Sequence, residues 1–194
     1  MTVRVERADA ARNRKAILEA ADRLFASANS PSDVSMDDVA AAAGVGKGTL
    51  FRRFGDRASL IRQLYAARLA PLRDKIGSGP PPLGPSTAPR ERVAAIIDAI
   101  ALVKLQNSHL MLALEDGGGP ANDIHRSPDY RDVHRLIADL LIADTDRLRA
   151  DWTAHVLLAC VRADLLRHLT ETEGMSQTQI RANLRNFIEH TLSR

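Results

Sequence analysis

The segment SMDDVAAAAGVGKGTLFRRF, residues 35–54, contains two short helical patterns joined by a glycine. Ser35 is followed three residues later by Asp38, which resembles a capping box and predicts that a helix begins there. Gly44 can adopt the left-handed backbone conformation that ends a helix and turns the chain. The second pattern, residues 47–54, predicts another short helix. Two short helices joined by a glycine turn form a helix-turn-helix.

The second helical pattern separates an apolar side from a cationic side. Leu50 and Phe54 are four residues apart, so both lie on one helix face and are expected to point into the core. Their expected partners are Leu24, Val39 and Ala40. The opposite face would present Lys47, Gly48, Thr49, Arg52 and Arg53. Because the second helix of a helix-turn-helix enters the major groove while neighbouring parts hold phosphates, the pattern predicts an interface for double-stranded DNA.

Two glycines near the start of this helix, Gly46 and Gly48, lower its helix propensity and need a physical reason. Close approach of the backbone to DNA is one such reason, and a tight turn is the other.

Basic groups outside the second helix are further candidates for phosphate contacts. The helices that begin at Ser35 and at Asp56 would point backbone amides at phosphate, with Arg57 beside the second. Arg14 lies in a basic run early in an amphipathic first helix, predicted over residues 8–28. A solvated basic face is the alternative explanation for Arg14.

The order of these motifs resembles the TetR family of transcriptional regulators. The similarity covers about residues 12–65 and rests on Arg14-Lys15-Ala16-Ile17-Leu18, Ala20-Ala21, Leu24-Phe25, Ser35 through Ala40, and Ala43 through Phe54. The resemblance implies an all-α fold, a DNA-binding head, a body that dimerises and binds an effector, and more often a repressor than an activator.

Carried over by position, the resemblance implies that Ser35 and Lys47 touch the DNA backbone and that Gly48 and Thr49 lie near base edges. The chain departs from the usual family residues at Phe51, where Tyr is usual, at Arg53, where His is frequent, and at Arg57, where Lys is common. A lost hydroxyl and a gained permanent cation predict a phosphate contact made by guanidinium. The Arg52–Arg53 pair is expected to supply mainly sequence-independent affinity.

The stretch GSGPPPLGP, residues 77–85, cannot remain helical and is the clearest connector in the chain. It predicts a helix-turn-helix domain over residues 1–55, linked by a helix over 56–77 to a body over 78–194. Residues 1–77 hold 14 Lys and Arg against nine Asp and Glu, whereas the remainder holds 13 against 15. A basic head on a slightly acidic body is typical of a nucleic-acid-binding head.

No segment shows strand-like alternation, so the expected fold is all-α with about nine helices. Three helices and a connecting fourth form the head. The body is expected to contain five more, over residues 89–106, 108–115, 128–143, 151–172 and 176–192.

Composition disfavours several other function classes. Apolar runs are too short for a membrane span and the N-terminal residues lack the apolar centre of a signal peptide, so a cytoplasmic protein is expected. A single cysteine, Cys160, cannot form an internal disulfide or a zinc finger. The six histidines include no i, i+4 pair, so neither a metal nor another cofactor is expected. An enzyme is the weaker alternative, because no nucleophile elbow, paired carboxylates or metal cluster is visible.

The last two predicted helices indicate a symmetric homodimer. Residues 154–166 are apolar almost all round, so that helix must be covered on two sides, whereas the final helix has one apolar side. Both are expected to pair with their copies, which would set two heads on a near-palindromic operator. The candidate interface residues are Leu158, Val161, Leu165, Leu184, Phe187 and Ile188. A monomer with a large core is the alternative.

The middle helices combine many apolar residues with a few polar ones, which is the pattern of a small-molecule pocket. The candidate ligand-binding residues are Asn107, His109, Met111, Tyr130, His134 and His155. A small apolar or amphipathic effector is therefore the hypothesis, and a body that binds another protein is the alternative. Trp152 is expected to be a packing anchor.

Overall fold

The computed structural model describes residues 2–28, 30–110, 125, 127–143 and 145–193, and within them it contains helices and no strand. Nine α-helices occur in that part of the chain: α1 (Thr2–Ser27), α2 (Met36–Ala43), α3 (Lys47–Phe54), α4 (Arg57–Ser78), α5 (Pro89–Gln106), α6 (Pro128–Leu141), α7 (Arg147–Ala159), α8 (Ala163–Arg167) and α9 (Gln177–Leu192). The all-α expectation is confirmed. None of the described helices is both long enough and apolar enough to span a bilayer.

The helix expected over residues 151–172 is two helices in the structure, and this part of the prediction was wrong. The chain enters α7 at Arg147, leaves it after Ala159 and resumes as α8. Lys104 of α5 donates a hydrogen bond of 2.7 Å from Nζ to the carbonyl of Val161, inside the break. A cation at the end of a helix satisfies a carbonyl that no further turn would satisfy. The helix expected over 108–115 is described only at 108–110, which are helical.

The chain divides into two compact units, and the division lies inside α4. The N-terminal unit holds the described residues up to Arg68 together with His109 and Leu110. The C-terminal unit holds Leu69–Ser108 and the described residues from His125 onward. The division between Arg68 and Leu69 lies within α4, and not at the connector over residues 77–85.

The core of the N-terminal unit is built from the residues that the spacing placed inside. Leu50 and Phe54 are buried against Val39 and Ala40, with Leu24 packed at the edge. Leu110 is fully buried in the same cluster. The apolar side of α3 thus anchors that helix and leaves its other side to the surface.

Two arginines join separate segments of the C-terminal unit by hydrogen bonds. Arg181 of α9 donates to both carboxylate oxygens of Asp98 on α5, at 2.8 and 2.6 Å. Arg92, which is buried, donates from Nε to the carbonyl of Leu83 at 3.0 Å and from a terminal nitrogen to that of Ile76 at 2.7 Å. Arg92 therefore joins the end of α4 to the connector, whose carbonyls no helix satisfies.

Candidate nucleic-acid interface

The turn between α2 and α3 is fixed at both ends of α2. The Ser35 hydroxyl accepts the backbone N–H of Asp38 at 3.2 Å, and the Asp38 carboxylate accepts the backbone N–H of Ser35 at 2.9 Å. These hydrogen bonds hold the pKa of Asp38 below its ordinary value, because they favour its charged form. Gly44 then adopts φ 66° and ψ 32°, a left-handed conformation in which a side chain is strained. The predicted capping box and glycine turn are both confirmed.

One face of α3 is exposed and continuous. Lys47, Gly48, Phe51 and Arg52 are exposed, whereas Thr49 and Arg53 are half-buried. Phe51 is four residues after Lys47 and three after Gly48, and Arg52 is four after Gly48, which makes these positions neighbours on the helix surface. We call Lys47, Gly48, Phe51 and Arg52 the exposed α3 face. It carries two cations, one aromatic ring and one position without a side chain.

Gly48 is a glycine for which the fold itself shows no need. A Cβ added at Gly48 or at Gly46 would meet no atom within 4 Å, and neither residue has a positive φ. Gly46 is the N-cap of α3, a position that favours glycine, so the fold gives a reason for it. The tight-turn explanation does not apply to Gly48, which lies inside α3, and close approach of another molecule to the backbone is the explanation that remains for it.

Lys47 is held in place by an ion pair that sequence analysis did not anticipate. Its Nζ contacts the carboxylate of Asp37, and both side chains are more than half exposed. Exposed ion pairs contribute little to stability, so a phosphate group can replace the carboxylate at small cost. The signal was present in the sequence as a second acidic residue in the first turn of α2, beside the capping Asp38.

Arg57 and Arg14 make hydrogen bonds inside the N-terminal unit. Arg57 donates from Nε to the carbonyl of Val34 at 3.1 Å, and its guanidinium carbon lies 5.3 Å from the centre of the Phe25 ring. Arg14 is exposed and donates to the side-chain oxygen of Gln63 at 3.2 Å. Arg57 therefore positions the chain that leads into α2, in addition to any phosphate contact.

The candidate ligand-binding residues are only partly brought together. Tyr130, His134 and His155 meet where α6 packs on α7, whereas Asn107 is buried and donates to the carbonyl of Val103 at 2.7 Å. His109 belongs to the N-terminal unit, where its Nε2 is buried without a partner among the described residues. Burial lowers the pKa of His109. Met111 lies outside the described residues.

Histidines that are far apart in sequence lie together at the α6–α7 contact. The rings of His134 and His155 have centroids 3.9 Å apart, and the Tyr130 hydroxyl lies 2.7 Å from His155 Nδ1. His125 packs edge-on against Tyr130 with centroids 4.7 Å apart. Burial lowers the pKa of His155, and His134 and His125 lower it further by charge repulsion. Within the described residues no set of three metal-ligating groups has the geometry to hold a metal ion.

Four of the six candidate dimer residues are core residues instead. Leu158, Val161, Leu184 and Ile188 are buried in the core of the C-terminal unit, so a partner cannot reach their side chains. Leu165 and Phe187 are 40% and 44% exposed.

Two exposed apolar residues on α7 were missed. Leu148 is 82% exposed and Trp152 is 70% exposed, so Trp152 is not the packing anchor that was expected. Their i, i+4 spacing places them on one face of α7. The spacing was visible in the sequence, but the helix was expected to begin at Asp151, which left Leu148 outside it.

Comparison with known proteins gives the same fold and the same N-terminal motif. Residues 17–64 match the family model of bacterial regulatory proteins, tetR family. The chain is 24% identical over 172 residues to an HTH-type transcriptional regulator of Staphylococcus aureus strain USA300, covering 84% of this chain and 86% of that protein.

Two solved structures are similar over nearly the whole chain. A TetR-like transcriptional regulator from Rhodococcus sp. RHA1 has a TM-score of 0.62 at 17% identity, covering 93% of this chain and 96% of that one. NalD, the secondary repressor of the MexAB-OprM multidrug efflux pump in Pseudomonas aeruginosa, has a TM-score of 0.60 at 17% identity, covering 94% and 96%. At these identities the structures share the fold.

Proposed function

We propose that this chain is a transcriptional regulator of the TetR family, a homodimeric repressor that binds a near-palindromic operator. The support is the match of residues 17–64 to the family model and the similarity to an HTH-type transcriptional regulator. The family consists of regulators and not enzymes, so the catalytic alternative is dropped. Access to chromosomal DNA places the protein in the cytoplasm in this proposal.

The exposed α3 face is the single observation that carries the proposal. A helix anchored by Leu50 and Phe54 presents Lys47, Gly48 and Arg52 outward, and Gly48 leaves room that the fold does not use. The cations supply attraction to phosphates, and the missing side chain allows the helix backbone to approach base edges. The half-buried Thr49 and Arg53 flank this face and are proposed to contact DNA at its margin.

A second copy is needed because one α3 helix reads only one half-site. Two recognition helices must lie about 34–36 Å apart to meet successive major grooves on one side of the duplex. Leu165 and Phe187 are exposed apolar side chains late in the C-terminal unit. A partner that covers these side chains would remove their apolar surface from water. We propose that these two residues lie in the dimer interface, with Leu148 and Trp152 as further candidates.

The proposed effector is a small apolar or amphipathic molecule bound by the C-terminal unit. Tyr130, His134 and His155 would supply polar contacts, and the adjoining apolar residues of α6 and α7 would supply the rest. Such a ligand would release DNA by favouring dimers whose heads have the wrong spacing. The assignment as a repressor is supported by NalD, which is a repressor and shares the fold.

Selection of bound duplexes from a random DNA library tests the function with no assumption about the operator sequence. The purified protein is expected to enrich an inverted repeat whose half-sites are one helical turn apart or a multiple of it. Enrichment of a single half-site would contradict the dimer, and no enrichment at low salt would contradict DNA binding itself. Adding fatty acids or long-chain alkanols of increasing length to the complex then tests for release by an amphipathic effector.

A further inference from the structure

We propose that Phe51 recognises thymine in the operator by contacting the C5-methyl group in the major groove, an inference that rests on the proposed function. It assigns a base preference to one residue of the exposed α3 face. Three features support this contact: the Phe51 side chain is exposed, its neighbours on the helix allow close approach to DNA, and thymine presents a methyl group in the major groove.

Phe51 is an exposed aromatic side chain on a unit that otherwise buries its large apolar groups. It is 46% exposed, and it is the only exposed large hydrophobic residue among the described side chains of the N-terminal unit. It is not one of the buried residues that form the core cluster with Leu50 and Phe54. Nearly half of its surface is left to water, and a contact outside the chain would remove that apolar surface from water.

The neighbours of Phe51 set the distance at which it can meet DNA. Gly48, one helical turn earlier on the same face, has no side chain to hold the helix away from the base edges. Lys47 and Arg52 lie on either side of the ring and would draw the helix onto the phosphates. An apolar ring between two cations is thus carried toward the floor of the groove.

The groups that the bases present in the major groove determine which base the Phe51 ring can contact. Phenylalanine has no donor or acceptor, so it cannot bind a phosphate oxygen or the polar edge of a base. Thymine is the base that presents a methyl group there, and phenylalanine is among the side chains that contact it. Cytosine has no methyl group and presents an amino group nearby, so the same contact disfavours a C·G pair.

Two random libraries that differ only in the methyl group test this proposal. One library is synthesised with thymine and the other with 2′-deoxyuridine in its place, and wild-type protein selects from both. We expect a strong A·T preference at one position of each half-site in the thymine library and loss of that preference in the uracil library. Replacing that thymine by uracil in an enriched duplex should weaken binding about fourfold, which is the effect of one buried methyl group.

Variants at Phe51 connect the methyl effect to this side chain. Phe51→Ala and Phe51→Gln should lose the preference at that position alone and bind thymine and uracil duplexes equally. Two variants are used so that one that fails to fold, as judged by circular dichroism, does not decide the result. Ile142→Ala, which removes another exposed apolar side chain, should keep the wild-type preference.

The outcomes separate this inference from the proposed function. Enrichment of the same A·T position from both libraries would overturn the methyl contact while leaving DNA binding intact. A methyl preference that persists in both Phe51 variants would assign the contact to another residue and overturn the role of Phe51. No enrichment from either library would overturn the proposed function and this inference together.

Discussion

Arg52 and Arg53 are adjacent in sequence but differ in their surroundings. Arg52 is exposed on the α3 face, whereas Arg53 is half-buried and engaged in contacts of its own. From the sequence alone, both arginines are expected to contribute to sequence-independent affinity for DNA. We therefore expect Arg52 to supply the larger share of the attraction to phosphates, because its side chain is the more exposed of the two.

Replacing Arg52 by alanine should weaken binding to all duplexes by a similar factor, because a phosphate contact carries no base information. The slope of log K against log salt concentration should become shallower by about one unit. Fluorescence anisotropy between low and moderate salt measures both quantities. Arg131→Ala, which removes an exposed arginine from α6, is the charge-matched control and should leave the slope unchanged. An unaltered slope in Arg52→Ala would remove this arginine from the interface.

At the scale of helices, the bidentate pair between α5 and α9 is a specific stabilising contact. Arg181 meets both oxygens of Asp98, and the two side chains are 33% and 22% exposed. Asp98→Asn removes the charge and one good acceptor, so it should lower the free energy of unfolding by about 1–2 kcal/mol. Urea denaturation measures the change.

Asp139→Asn provides the control for this contact. Asp139 pairs with Arg147 on the surface, where both side chains are more than half exposed. Exposed pairs contribute less, so this variant should cost no more than about 0.5 kcal/mol. Equal losses in the two variants would contradict the structural role of the Asp98–Arg181 pair.

We expect the histidine cluster between α6 and α7 to add a small pH dependence to stability, small because His155 is exposed. The pKa of His155 lies below its ordinary value, chiefly because of burial and then because of His134 and His125, while Asp151 opposes the shift. The unfolded chain therefore binds a proton more readily than the folded one. The stability that this group contributes is present above the ordinary histidine pKa of about 6.5 and is lost as pH falls through the folded value.

Thermal unfolding between pH 7.5 and pH 5 tests this dependence. His155→Gln should lose less stability than wild type over that interval, because glutamine does not titrate. If His155→Gln loses as much stability as wild type, the cluster is not the source of the pH dependence.

The sequence predicts the ends of a helix well when the residues that set them are close together in the chain. The beginning of α2 and the turn after it depend on Ser35, Asp38 and Gly44, which are close in sequence, and both were predicted. At the break after α7, the Val161 carbonyl accepts a hydrogen bond from Lys104, 57 positions away, and such a contact leaves no trace in the local sequence pattern. Burial also lowers the pKa of Lys104 to about 8, a second property that only the fold creates.

The same contrast between local and distant determinants applies to the candidate sites. The exposed α3 face follows from helical spacing around Leu50 and Phe54, so sequence alone identified Lys47, Gly48 and Arg52. Tyr130, His134 and His155 were named as ligand candidates, but the sequence could not show that they meet, because His134 and His155 lie on different helices and no local spacing relates them. His125, which packs on Tyr130, was not named. The interface candidates Leu158 and Val161 were misplaced because an apolar run does not show which of its residues the chain's own core covers.

At the scale of the whole molecule, the proposed dimer predicts a coupling between assembly and DNA affinity. Phe187→Glu places a charge where an apolar contact is proposed, so it should yield monomers that bind the enriched duplex far more weakly. Phe187→Leu keeps an apolar group and should remain dimeric. Sedimentation equilibrium gives the mass of each variant. A dimeric Phe187→Glu protein with wild-type affinity would exclude Phe187 from the interface.

A comparison of two glycines tests directly whether the exposed α3 face binds DNA. One glycine lies on this face and the other lies on another helix. Gly48 is on the exposed α3 face and Gly77 is near the end of α4; both are exposed and helical, and a Cβ at either would meet no atom within 4 Å. Alanine at either position should leave stability unchanged or raise it, by up to about 1 kcal/mol. For the duplex enriched by the wild-type protein, Gly48→Ala should lose affinity by about tenfold or more, whereas Gly77→Ala should bind as wild type does. Equal affinities in the two variants, with both folded, would contradict the assignment of this face to DNA.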